Sequence, residues 1–268
     1  MKILNYLRIK FHPLLYLKSF KSIRNILNKL DFIYYKKSKK FGNYYCNFIK
    51  NLNLIINEEN YEKETFKFIS SIEKKNINDG VFIDVGSNIG LFSYFVEKNF
   101  NSQIISFEPD YNNLILSYKT LQKRNNNRIF IFPFGVSNSN AIKSFLLDDV
   151  SGSTGSLKGL VNTSQKLYEL YKSKKITTYK LDELLNYNFS CINLIKIDVE
   201  GGELDVIEGG INLIKKHSPM IIIETDELNL KKINEILTEF GYQYKLIDKE
   251  ASNFLFFINQ KFKSNVNN

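Results

Sequence analysis

Beyond Asp79-Gly80 the chain alternates short apolar runs with amphipathic stretches, and this alternation constrains its fold more than any other feature. Val81–Val85, Gln103–Phe107 and Arg128–Phe132 read as strands. Leu91–Lys98 and Asn112–Arg124 read as helices between them, the second with Leu114, Tyr118 and Leu121 turned inward. A β-α-β-α-β order implies a parallel sheet with right-handed crossovers. The pattern resumes with a strand at Asn193–Asp198, a helix at Glu203–Lys216 and a strand at Met220–Glu224. The Glu203–Lys216 helix places Leu204, Ile207, Ile211 and Ile214 on one face. Its first turn is acidic and its last is basic, so His217 reads as a partner of the helix dipole rather than as a base. Leu230, Ile233, Leu237 and Phe240 mark another helix, stopped by Gly241. Tyr242–Ile247 and Asn253–Ile258 are joined by the short polar stretch Asp248–Ser252, which only a hairpin can use, so the last strand is expected to be antiparallel.

Before and within this frame the pattern is less regular. Residues 58–76 read as a helix with Tyr61, Phe66, Ile69 and Ile72 as its apolar side. Residues 137–175 form a long insertion with added strands at Ala141–Leu147 and Ile176–Lys180 and a polar loop at Ser151–Ser156. Long insertions of this kind usually carry function. The expected organisation is a basic, helical extension at 1–57 and one α/β domain at 58–268. The domain would be a mostly parallel seven-stranded sheet with helices on both faces.

Charge separates the same two parts. The chain has 37 Lys/Arg and 28 Asp/Glu, a net charge of +9. Residues 1–50 hold 12 of the basic residues and one acid, Asp31; the rest hold 25 basic and 27 acidic residues, a net of −2. A nucleic-acid enzyme concentrates positive charge around its cleft, so this distribution speaks against that class. Leu14, Leu17, Phe20, Ile23, Leu27 and Leu30 recur at helical spacing, with Lys18, Lys21, Asn25 and Lys29 opposite. Such a helix either packs on the main domain with a solvated basic face, or rests on an anionic membrane surface or a protein partner. Two distant cysteines, Cys46 and Cys191, make no disulfide framework and fit a reducing cytosol. No run of eighteen apolar residues and no cleavable leader is legible, so a cytoplasmic protein is expected, with residues 1–50 suited to the inner membrane face.

In an open parallel sheet, ligands bind beyond the carboxyl ends of the strands. Asp84 ends the first strand and is followed by Gly86, Ser87, Asn88 and Gly90. The spacing is G-x-x-x-G, not the G-x-G-x-x-G of nicotinamide-dependent oxidoreductases. Glu108 ends the second strand, directly before Pro109, where a carboxylate can accept both ribose hydroxyls of a nucleoside. Lys196, Asp198 and, if the strand persists, Glu200 point the same way at the end of the fourth strand. Charges placed there cost desolvation energy and mark a site.

These blocks resemble the FkbM family of class I methyltransferases. The resemblance rests on Phe82–Gly90 (FIDVGSNIG), Ser106–Asp110 (SFEPD), Thr178–Leu184 (TYKLDEL), Leu194–Gly210 (LIKIDVEGGELDVIEGG) and Pro219–Glu224 (PMIIIE). It implies a Rossmann-like fold, S-adenosylmethionine as cofactor and O-methylation of a hydroxyl, often on a sugar in polysaccharide biosynthesis. It would set Asp84, Gly86, Ser87, Asn88 and Gly90 at the methionine end of the cofactor, Glu108 and Pro109 at the ribose, and Gly135 and Val136 near the adenine. Asp198 would touch the cofactor as well. Asp198 and Glu200 are then the candidates for a base or for orienting the acceptor hydroxyl, with Lys196 tuning their charge. A divalent ion held by these acids is the less favoured alternative, since no third carboxylate is close in sequence. An Asn/Asp-Pro-Pro-aromatic turn, usual in nucleic-acid amino-methyltransferases, is replaced by Asp198-Val199-Glu200-Gly201. A non-catalytic methyltransferase-fold module docking at a membrane or glycan-assembly complex remains the other reading.

Overall fold

The computed structural model describes residues 26–258, apart from 28, 126 and 149–170. The N-terminal part carries a hairpin, β1 (Ile33–Lys36) and β2 (Tyr44–Asn47), then helices α1 (Leu52–Ile56) and α2 (Lys63–Ser71). The hairpin corrects the expectation of a helical extension. Its residues are aromatic and β-prone, Tyr35 lies on Tyr45 at 4.6 Å, and Gly42 sits in the connection with φ +72°. Leu14, Leu17, Phe20 and Ile23 of the expected amphipathic helix lie outside the described residues; Ile26, Leu27, Lys29 and Leu30 are helical. Residues 58–76 also differ from the single helix expected. Glu62 adopts a left-handed conformation, φ 42° and ψ 45°, and breaks the segment so that α2 begins only at Lys63. No helix among the described residues is long and apolar enough to cross a membrane.

The main domain follows the expected alternation. Its elements are β3 (Val81–Val85), α3 (Leu91–Asn99), β4 (Gln103–Phe107), α4 (Tyr111–Arg124) and β5 (Ile129–Phe132). A small three-stranded sheet follows, from β6 (Gly135–Val136), β7 (Ala141–Asp148) and β8 (Tyr171–Tyr179) in the order β6-β8-β7. The expected Ser151–Ser156 loop falls outside the described residues. Then come β9 (Ile192–Ile197), α5 (Glu203–Gly209), α6 (Ile211–His217), β10 (Met220–Glu224), α7 (Glu227–Thr238), β11 (Tyr242–Asp248) and β12 (Asn253–Ile258). The expected helix 203–216 is therefore two helices. A Cβ on Gly209 would lie 2.1 Å from the Ser137 carbonyl oxygen, so the chain passes β6 too closely for a side chain there, and Gly210 caps the break. Strand β9 stops at Ile197, one residue before the expected end, and α7 stops at Thr238 rather than running to Gly241.

The seven-stranded sheet runs β11-β12-β10-β9-β3-β4-β5, and only β12 is antiparallel to its neighbours. Successive side chains of a strand face opposite sides, and the core divides accordingly. Ile83, Ile195 and Ile223 pack against α5, α6 and α7 through Val206, Leu213, Ile214 and Ile233. Phe82, Leu194, Ile222 and Leu255 face the other way, onto α2, α3 and the hairpin through Phe66, Ile69, Phe92, Tyr44 and Phe41. Each fully buried side chain of this size contributes about 1.5–3 kcal/mol. The same alternation turns Asp84 and Lys196 toward α2, and their Cα atoms pair in register.

Candidate active site

The loop after β3 is tied to the loop after β9. A Cβ on Gly86 (φ +81°) would stand 1.9 Å from the Asp198 carbonyl oxygen, which only glycine permits. The Gly86 and Ser87 backbone N–H groups both donate to the Phe107 carbonyl at 3.0 Å. Asn88 has φ +53°, and its N–H donates to Glu108 Oε2 at 2.8 Å. The Asp110 N–H donates to Glu108 Oε1 at 2.7 Å. Glu108 therefore joins the glycine loop to the Pro109 turn and to the start of α4, where Asp110 caps the Asn112 N–H. The Asn113 side chain donates to the same carboxylate, which keeps a lone pair for a further donor. Burial pushes Glu108 up to about 7, and the Asp110 and Asn88 N–H groups work against that shift. Ser87 Oγ is buried with no hydrogen-bond partner among the described residues. Asp84 is buried, and its Oδ2 accepts from Ser93 N at 3.1 Å and Ser93 Oγ at 2.6 Å. Burial raises Asp84 to about 6, against those hydrogen bonds and Lys196. Gly135 and Val136 are buried in β6, with Val136 part of the hydrophobic core.

A second group of charges lies at the ends of β9 and β10. Lys196 is fully buried, its Nζ 3.7 Å from Asp198 Oδ2 and 5.1 Å from the centre of the Phe92 ring. Burial pulls the Lys196 ammonium down, but Asp198, Glu62, Glu224 and Asp84 outweigh it and keep the group protonated. Glu200 follows the end of the strand with φ +54°, so strand alternation does not orient it. Glu203 is buried and accepts the Gly201 N–H at 2.7 Å, which fixes the turn between Asp198 and α5.

Glu62 and Glu224 join this group, though neither stands out in the sequence as a site residue. Glu224 ends β10, so the rule that selects Asp84, Glu108 and Asp198 applies to it as well. Glu62 carries no sequence signal; its left-handed turn at the head of α2 brings it over the sheet. Non-glycine residues held in this conformation cost about 1–3 kcal/mol and cluster at functional sites. Asn253, paired in register with Glu224, donates from Nδ2 to Glu62 Oε2 at 2.9 Å. Carboxylate oxygens of Glu62, Asp198 and Glu224 all lie within 4.8 Å of one another. At that spacing ionised carboxylates repel by about 3 kcal/mol per pair at an effective dielectric near 20. Burial raises both Glu62 and Glu224, and the Asp198 charge adds to the shift. One ammonium does not balance this group, so it holds protons or a further cation. A cavity of about 330 Å³ lined by Asp79, Gly80, Gln103 and Ser190 lies at the opposite, amino ends of β3 and β4, away from both groups.

Comparison with known proteins fits this arrangement. The family model for the methyltransferase FkbM domain matches residues 84–244, more than half of the chain. The chain belongs to the FkbM methyltransferase family. The FkbM methyltransferase of Methylobacillus flagellatus KT shares its fold, with a TM-score of 0.50 at 20% identity over 78% of this chain and 53% of that one. Methyltransferase 1 of Beauveria bassiana (strain ARSEF 2860) is 23% identical over 146 residues, 49% of this chain and 59% of the relative. The chain thus spans somewhat over half the length of the relatives it matches. The FkbM match begins at Asp84, so the hairpin, α1, α2 and Glu62 lie outside it. The architecture is the Rossmann-like class I methyltransferase fold, with the glycine loop and the β9 loop in contact above the sheet.

Proposed function

We propose that this FkbM-family chain is an S-adenosylmethionine-dependent O-methyltransferase acting on a hydroxyl, on a sugar of a cell-surface glycan or its precursor. The observation that carries the cofactor assignment is Glu108, which bridges the glycine loop and the Pro109 turn with a lone pair to spare. The orphaned Ser87 hydroxyl and the Gly86 contact fit a ligand laid over this loop. Ser87, Asn88 and the loop backbone would hold the methionine part, and Glu108 the ribose hydroxyls. When bound, the cofactor supplies a methyl group already activated by a sulfonium charge. Proximity then carries much of the rate, and the chain's task is to hold the acceptor oxygen in line. An alcohol is a weak nucleophile, so a carboxylate must take its proton as the oxygen attacks. We assign that task to Asp198, which lies beside the glycine loop and pairs with Lys196, with Glu200 of the same loop as the other candidate. Acceptor class, a cytoplasmic location and docking of residues 1–50 at a membrane or a partner belong to this proposal. The sugar assignment follows from the family resemblance, while the net charge of −2 outside residues 1–50 speaks against a nucleic-acid acceptor.

Calorimetry with S-adenosylhomocysteine tests it. Glu108→Ala removes charge-assisted hydrogen bonds of about 1.5–3 kcal/mol, a loss of roughly 10- to 100-fold in affinity. Unchanged affinity would remove Glu108 from the site, and binding of reduced nicotinamide cofactor instead would overturn the reading. The pH dependence has a defined sign. Ribose donors favour ionised Glu108, so protonation competes with binding below its value of about 7. Affinity should therefore be about tenfold weaker at pH 6 than at pH 8, and Glu108→Gln should flatten the profile. A flat wild-type profile would contradict the contact. Mass spectrometry of extracted glycans, with and without the gene, checks the acceptor: a methyl gain that needs the gene supports a glycan hydroxyl.

A further inference from the structure

We infer that Glu62, Asp198 and Glu224 form a binding site for one divalent cation of the hard, oxygen-seeking class. The sequence disfavours a metal because no third carboxylate is near Asp198 and Glu200 in the chain. The fold supplies two more, from the head of α2 and the end of β10. These three elements are far apart in sequence and meet only through the order β10-β9-β3 and the packing of α2 on that face. Oxygens within 4.8 Å of one another fit opposite or adjacent ligands at bond lengths of about 2.0–2.4 Å, the range of magnesium, manganese and calcium.

Two further atoms point to a ligand at this place. Asn253 is fully buried; its Nδ2 donates to Glu62 and to Thr65 Oγ1, while its Oδ1 has no donor among the described residues. A neutral amide oxygen without a donor, on the same side chain that holds Glu62, is of the type such cations take. Lys196 Nζ is also fully buried, faces Asp198 at 3.7 Å, and has no hydrogen-bond acceptor among the described residues. An ammonium with open donors there suits the oxygen of a cation-bound water or hydroxyl. The left-handed backbone of Glu62 brings its carboxylate beside those of Asp198 and Glu224. The role of the cation rests on the methyltransferase reading: it would hold and acidify the acceptor hydroxyl beside the glycine loop, and the Asp198 oxygen not bound to it would take the proton.

The site is tested on the full chain, freed of metal with a chelator and titrated with manganese by electron paramagnetic resonance. One manganese per chain is expected, displaced by magnesium or calcium. Glu62→Gln and Glu224→Gln should each weaken it at least tenfold, and Glu235→Gln on the exposed side of α7 should not. Both site variants remove like-charge repulsion, so folding is expected to survive; thermal melts with and without manganese give a second readout, a rise in Tm for the wild type alone. No stoichiometric manganese at millimolar concentration, or equal affinity in both site variants, would overturn the inference and leave protons as the occupants. S-adenosylhomocysteine is titrated separately. Manganese binding without it would keep this site and sink the cofactor reading, whereas the reverse result would sink the cation site alone.

Discussion

Asp198→Asn is expected to lower turnover by about a hundred- to ten-thousand-fold, the range for loss of a positioned proton acceptor. The substitution keeps the shape of the side chain and removes its charge and basicity. Asp198 is the acid that touches both halves of the site. Its backbone carbonyl closes on Gly86, and its carboxylate faces Lys196 at 3.7 Å. The backbone contact survives the change, so S-adenosylhomocysteine affinity should fall far less than turnover. Stability is expected to change little. With one fewer negative charge near Glu62 and Glu224, repulsion in the cluster drops, which offsets the loss of the nearest anion to Lys196, and Tm should hold. A variant that is inactive, stable and still binds cofactor would show the trade between function and stability that clustered like charges impose. Near-wild-type turnover would place the proton acceptor elsewhere, with Glu200→Gln as the next variant to measure.

The sequence is legible where one strand carries its own signal. Val81–Val85 and Gln103–Phe107 are apolar runs ended by an acid, and both the strands and the acids at their ends are found as expected. Lys196 and Asp198 likewise face together, because the pairing with β3 continues one residue past β9, where the Asp198 N–H donates to the Val85 carbonyl. What stays hidden depends on which elements become neighbours. Glu224 is an acid at a strand end, but its meaning depends on β10 lying beside β9, and chain order does not give that distance. Glu62 is hidden further. Its segment reads as one helix, in which it is one of four glutamates between residues 58 and 64, and only the left-handed turn singles it out. The β1-β2 hairpin is obscured by its basic surroundings, although Tyr44 and Cys46 are fully buried against the main domain. The break between α5 and α6 lies where Ser137 approaches Gly209, a contact between segments about seventy residues apart. Local pattern therefore recovers the frame and half of the charged site, and the other half is tertiary.

Lys196→Met tests that tertiary half most directly, through stability. Methionine matches the length of the lysine stem and keeps the contact with Phe92, so packing changes little. What is lost is the ammonium that faces Asp198, Glu62, Glu224 and Asp84. Removing one partner of a buried charged group costs about 3–5 kcal/mol. For a domain of this size that corresponds to a fall in Tm of roughly 6–20 °C. The loss should depend on pH in a fixed direction. Burial already raises Asp84 to about 6 and raises Glu62 and Glu224, so the folded state binds more protons than the unfolded chain. Stability contributed by such groups is present below the ordinary carboxylate range and is lost as pH rises through their folded values. Without the ammonium those values climb further, so the variant should be most destabilised at pH 8 and recover much of the loss at pH 5. Urea unfolding at the two pH values reads this out. An equal loss at both would mean that Lys196 acts by filling space rather than by balancing the acids.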